Sequence, residues 1–219
     1  QKLYFPESIT QIGESAFSDC EGLKNIEIPE TVTKIDDLVF NGCTSLKKIS
    51  LNEGLRKIGK SAFKNCEALE EVLIPSTVSS ISDAPFRGCK GLKSIRVEPK
   101  NKYFKSETNK RIDKDDGHIL FNKNKSIIIS YPASSEDVNY DIPDSVTSVK
   151  QDAFKGCVSL KDINLHDNIT LIDYHAFYDC SSLKKVKIPK EIKKISVYAF
   201  AYCTSLEEVE FNDVLETIE

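Results

Sequence analysis

The sequence contains no methionine, no tryptophan and only three histidines. No stretch approaches the roughly 18 consecutive apolar residues of a membrane-spanning helix. The residues from Gln1 onward also lack a basic segment followed by a hydrophobic one, so neither a span nor a leader is read. Absence of methionine removes even the initiator, which points to a processed chain or an excised piece. Charge of one sign is missing too. Thirty basic against 34 acidic residues leave a formal net charge of −4, which offers no field to nucleic acid or anionic lipid. His118, His166 and His175 stand singly, and no H-E-x-x-H, G-x-S-x-G, C-x-x-C or phosphate-binding loop occurs. Only a catalytic set assembled across distant segments would escape these absences, and we read the chain as a non-enzyme with no cofactor and no metal.

What is present is a period. Phe17, Phe40, Phe63 and Phe86 are spaced by 23 residues, and so are Phe154, Phe177 and Phe200. Each is followed three positions later by a cysteine (Cys20, Cys43, Cys66, Cys89, Cys157, Cys180, Cys203), and after three more by a leucine, from Leu23 to Leu206. The leucine opens a segment L-x-x-[IV]-x-[ILVF] that alternates with period two, as a half-buried strand does. Proline ends several of these at Pro29, Pro75, Pro143 and Pro189, because it lacks a donor N–H. A short extended piece [VI]-T-x-[IV] follows, then a compact return to the next phenylalanine. One such rung cannot cover its own apolar positions, so neighbouring rungs must stack in a solenoid.

These repeated Phe, Cys, Leu and Ile positions resemble the BspA-like leucine-rich repeats, as in DIPDSVTSVKQDAFKGCVSLKDINL from Asp141 to Leu165. Val39 and Pro85 depart from its alanine, and Asn52 and His166 from its proline. The resemblance implies a right-handed leucine-rich-repeat superhelix of β/α type with a concave β-sheet. We expect a single array over 1–219, with regular repeats in 1–97, irregular rungs carrying a β-hairpin in 98–140, and regular repeats in 141–219. Leu3, Phe5 and Ile9 fit the middle of a rung, as do Leu215 and Ile218, so the array is expected to begin and stop mid-repeat within a longer surface protein.

Between Phe86 and Phe154 the period breaks. His118 to Phe121 and Ser126 to Tyr131, around the polar turn Asn122 to Lys125, read as a hairpin. Its spacing from Ile95 and from Tyr140 places it in the same sheet as the regular strands. Asp113, Asp115, Asp116 and Gly117 suggest calcium, but glycine arrives fifth where an EF-hand loop needs it sixth, and a solvated turn is favoured. The cysteines share one interior phase and are read as small buried hydrophobes ahead of disulfides or metal ligands.

Strand residues facing away from the core tile the concave sheet. They are Asn25 and Glu27, Lys48 and Ser50, Glu71 and Leu73, Ser94 and Arg96, Asp162 and Asn164, Lys185 and Lys187, and Glu208 and Glu210. Leu73 is an apolar residue among polar ones. Lys184, Lys185 and Lys187 precede Glu207, Glu208 and Glu210 by one period, and Lys47 and Lys48 precede Glu70 and Glu71. Such pairs are expected to face across neighbouring strands. Tyr174, His175, Tyr178, Tyr198 and Tyr202 form a second candidate surface on the return segment, able to stack on sugar or protein, although packing against adjacent rungs is the plainer reading. The resemblance implies a secreted or cell-surface adhesion module that binds a protein or glycoprotein of a host or neighbouring cell. The alternative is a structural spacer or display stalk.

Overall fold

The computed structural model describes residues 3–109 and 118–219, so the acidic segment Asp113 to Gly117 lies outside the described residues. Alternating apolar positions such as Ile26 and Ile28 require an extended chain with every second side chain inward. They produce β2 (Asn25–Glu27), β4 (Lys48–Ser50), β6 (Glu71–Ile74) and β8 (Ser94–Val97). Each [VI]-T-x-[IV] piece becomes a two-residue strand: β1 (Gln11–Ile12), β3 (Lys34–Ile35), β5 (Lys57–Ile58) and β7 (Ser80–Ile81). Beyond the interruption, β12 (Asn139–Asp141), β14 (Asp162–Asn164), β16 (Lys185–Lys187) and β18 (Glu208–Glu210) alternate with β13 (Ser148–Val149), β15 (Leu171–Ile172), β17 (Lys194–Ile195) and β19 (Thr217–Ile218). Long strands pair in parallel with long ones, one period apart, as Asn25 with Lys48 or Lys185 with Glu208. Short strands pair with short ones, as Ile35 with Ile58. The result is a β-solenoid of about nine turns with parallel sheets.

The expected β/α form is not adopted: among the described residues there is no helix. Backbone bonding in the return segment gives the reason. Ser15, Phe17 and Asp19 donate their N–H groups to Asp37, Val39 and Asn41 of the next rung, at 3.0, 2.9 and 2.6 Å. Ala16, Ser18 and Cys20 close local turns to residues three positions back. A helix would aim every N–H along its own axis and leave the next rung's carbonyls unpaired. Positive φ at Ser15 and Asp19, repeated at Leu38, Ser61, Asn65, His175 and Asp179, turns alternate N–H groups toward the neighbour.

The phenylalanines stack inside, with ring centroids 5.7, 5.6 and 5.6 Å apart from Phe17 to Phe86. All seven cysteines are free. Cys43, Cys66, Cys89, Cys180 and Cys203 donate their thiols to the carbonyls of Phe17, Phe40, Phe63, Phe154 and Phe177, at 3.0–3.2 Å. The departures from proline also have a role. Asn52 spans the preceding turn through the carbonyls of Pro29 and Val32, and Asn212 does the same for Pro189 and Ile192. His166 Nε2 lies 3.0 Å from the Pro143 carbonyl.

The hairpin forms as β10 (Ile119–Asn122) and β11 (Ile127–Ser130), but its sheet differs from the expected one. β11 joins the short-strand column by pairing in parallel with β13, and β10 pairs antiparallel with β9 (Phe104–Glu107), a strand not expected. The long-strand column therefore splits into one sheet of β2, β4, β6 and β8 and another of β12, β14, β16 and β18. Tyr131, 23 residues before Phe154, takes the phenylalanine's place and stacks on that ring at 4.8 Å.

Candidate functional site

On the long strands, burial alternates exposed, buried, exposed. This presents Asn25, Glu27, Lys48, Ser50, Glu71, Arg96, Asp162, Asn164, Lys185, Lys187, Glu208 and Glu210 to solvent. Leu73 keeps 48 % of its surface exposed, opposite Arg96 on the next strand. Ser94 is a correction. Only 2 % of it is accessible, because the interruption folds over it: its Oγ lies 3.3 Å from His118 Nδ1, and the Ile95 N–H donates to the His118 carbonyl. The face therefore runs in two patches, and the second closes on itself. Lys185 meets Glu208 at 2.7 Å and Lys187 meets Glu210 at 2.8 Å. Each glutamate, by hydrogen bond and charge, holds its lysine's pKa above the ordinary lysine value, and Lys187 in turn depresses that of Glu210. The lysine run continues the pattern, with Lys190 on Asp167, Lys193 on Glu216 and Lys194 on Glu219. Register sets Lys48 opposite Glu71 as expected, whereas Glu70 is engaged by Lys93 at 3.5 Å.

The aromatic set does converge. Tyr174 lies 6.4 Å from Tyr198 between ring centroids, His175 stacks at 5.3 Å on Tyr198, and Tyr178 lies 4.9 Å from Tyr202. Tyr198 and Tyr202 are exposed, and Tyr174 and Tyr178 are half-buried. His175 is buried, which removes it as a contact residue. Its Nδ1 faces Asp152 Oδ1 at 3.6 Å, and neither atom has a hydrogen-bond partner. Burial lowers the His175 pKa, against the attraction of Asp152, and so favours the neutral ring. Around Asp152 gather Arg87 at 3.6 Å and Lys155 at 3.9 Å. Lys155 also lies 4.0 Å over the Tyr178 ring, and its pKa is lowered by burial and then by the Arg87 charge. Reading along the chain missed Arg87, Asp152 and Lys155. Asp152 and His175 do share one repeat column, 23 residues apart. Arg87, by contrast, reaches Asp152 only because the interruption brings their rungs together.

Among the described residues, no three or more His, Cys, Asp or Glu side chains are arranged to hold a metal ion. No helix there is long and apolar enough to cross a membrane.

Stacked parallel strands with a fixed interior Phe-Cys-Leu column define a leucine-rich repeat solenoid. The BspA type leucine rich repeat region matches residues 1–113 and 133–219 in six copies, and the chain belongs to that family. A leucine-rich repeat protein from Eubacterium ventriosum is 26 % identical with a TM-score of 0.80, over 96 % of this chain and 59 % of that one. The pneumococcal vaccine antigen PcpA is 27 % identical with a TM-score of 0.88, over 96 % of this chain and 50 % of its own length. The chain thus spans between half and three fifths of those two proteins. A leucine rich cell surface protein from Faecalibacterium prausnitzii shares the fold at 21 % identity and a TM-score of 0.61, over 96 % of this chain and 78 % of that one. A comparison with curated proteins returned no match.

Proposed function

We propose that the chain, acting as one array, is the binding module of a cell-surface or secreted protein, and that it adheres to a protein or glycoprotein through the outward residues of its long strands. Leu73 carries the reading. An exposed leucine on a strand fixed at both sides by parallel pairing, with Glu71 and Arg96 near it, matches the apolar centre and charged surround of a protein interface. The rigid sheet costs little entropy on docking. Family membership supports an interaction module, and the Faecalibacterium prausnitzii protein, named as a cell surface protein, supports the location. Leu73→Glu with Arg96→Glu is expected to abolish capture of the partner from a panel of immobilised extracellular-matrix glycoproteins. Solvent-facing changes of this kind alter stability by only about 0.5 kcal/mol, so the melting temperature should hold. Retained capture would move the interface elsewhere.

A spacer or display stalk is the second reading, favoured by one observation: Lys185 and Lys187 are already engaged by Glu208 and Glu210. A wild-type chain that captures no member of the panel would leave that reading standing.

A further inference from the structure

The interruption rewrites one return segment with polar residues. Counting 23 positions back from Phe154, Cys157 and Leu160 gives Tyr131, Ser134 and Asp137. Asp137 is buried and accepts a hydrogen bond from the Tyr131 hydroxyl. A hydroxyl and a carboxylate in place of a thiol and an isobutyl group cost stability in a solenoid core. They form the floor of a cleft of about 460 Å³, a size that suits small-ligand sites. One wall comes from the rung of Gly88, Lys90 and Lys93, the other from Lys155, Val158 and Ser159.

The polar groups of this cleft are mixed in sign. Lys155 brings one ammonium group, Lys90 and Lys93 bring two more that are already paired with Glu67 and Glu70 at 3.0 and 3.5 Å, and Glu136, Asp137 and Asp179 bring three carboxylates, so an ion of either charge meets both attraction and repulsion. Ser134 and Ser159 add hydroxyls that donate and accept. Val158 is a large apolar side chain left 48 % exposed beside them. Outside the lining itself, next to Lys155, the Tyr178 ring lies under the ammonium and the Tyr202 ring, 64 % exposed, beside Tyr178. A polypeptide strand would need a free backbone edge, but the floor's Ser134 N–H is already given to the Leu92 carbonyl at 2.8 Å. A ligand with many hydroxyls, no net charge and C–H faces to lay on valine and tyrosine satisfies all of these features. We propose that the cleft binds a neutral saccharide, at a site separate from the long-strand face.

The test uses the chain as it stands, with lactose, diacetylchitobiose and mannobiose as neutral probes and 3′-sialyllactose as a charged one, followed by saturation-transfer NMR and titration. At least one neutral disaccharide should bind, and Val158→Trp, which fills the cleft from an exposed position, should weaken it by about tenfold or more. Should that variant lose its circular dichroism spectrum, Lys90→Met with Lys93→Met, both on exposed side chains, should give the same weakening. The proposal is overturned if none of the three neutral sugars binds at about 10 mM, if only the sialylated sugar binds, or if folded cleft variants bind as tightly as wild type.

Discussion

Cys43 lies between Cys20 and Cys66 in the repeat column and donates its thiol to the Phe17 carbonyl. Burial, helped by the Cys66 and Cys20 charges, pushes its pKa from the ordinary 9.0 up to about 12. Burial likewise raises Cys157, Tyr131 and Tyr140, with the Asp137 carboxylate adding to all three, after Glu107 at Tyr140. In the unfolded chain these groups ionise near about pH 8.5 to 10. Above that range the unfolded state holds fewer protons than the native one, so stability falls as pH rises and the loss is complete only at the folded values. Each such group contributes a slope of about 1.4 kcal/mol per pH unit. The melting temperature should therefore be level below about pH 8 and decline continuously from about pH 9 to 12. Reactivity of the buried thiols and ionisation of Tyr131 and Tyr140 should appear together with loss of the β-sheet spectrum. Free reaction of Cys43, Cys66 or Cys157 near pH 9 in a fully folded chain would contradict the buried column. Its interior phase was legible in the sequence because all seven cysteines keep one offset from phenylalanine. The thiol-to-carbonyl bond was not, since it depends on how closely successive rungs stack.

The rung depends on backbone geometry that side-chain periodicity does not reveal. Positive φ recurs two residues before and two after the phenylalanine, on residues as different as Leu38, Asn65 and Tyr202. The neighbour's carbonyls, rather than the residue type, impose it. A glycine test separates conformation from space. Gly156 has φ of 75° and no atom within 4 Å of the place a methyl group would occupy, so Gly156→Ala should cost only the left-handed penalty of about 1–2 kcal/mol. Gly59 sits where an added Cβ would meet the Asp36 carbonyl carbon at 2.4 Å and the Asp37 nitrogen at 2.5 Å, both backbone atoms that cannot swing away. Gly59→Ala must separate two rungs, and it should destabilise by clearly more than Gly156→Ala in urea unfolding. Equal costs would mean that rung spacing is softer than the ladder of bonds implies. The outward strand residues were legible for the converse reason: period two fixes side-chain direction wherever one face is buried. Ser94 failed because a segment from outside the period covers it, and β9 was missed because Phe104 to Glu107 is mostly polar and carries no alternation of its own.

Two apolar cores run along the molecule, one from Ile12 to Leu120 and the other from Ile119 to Cys203, and they meet at the hairpin. Strand alternation makes the hairpin a wall between them. Leu120 and Ile129 pack with the first core, and Ile119, Phe121 and Ile128 with the second. Both hairpin strands and their turn were legible from two apolar runs around a polar turn. Their sheet was not, because spacing alone does not say which column an irregular rung will join. In a solenoid each rung interacts mainly with its neighbours, so stability is distributed along the stack. The hairpin is where the two cores couple. Leu120→Ala removes packing on one side of the wall, and Phe121→Ala on the other, each at a cost of about 2–5 kcal/mol. Hydrogen exchange should then separate them. Leu120→Ala should speed exchange in β6 and β8 while β14 and β16 stay near wild type, and Phe121→Ala should leave β4 and β6 protected while exposing β13 and β14. If either substitution accelerates exchange equally in β4 and β16, the cores unfold as one unit and the wall transmits the loss across the whole array.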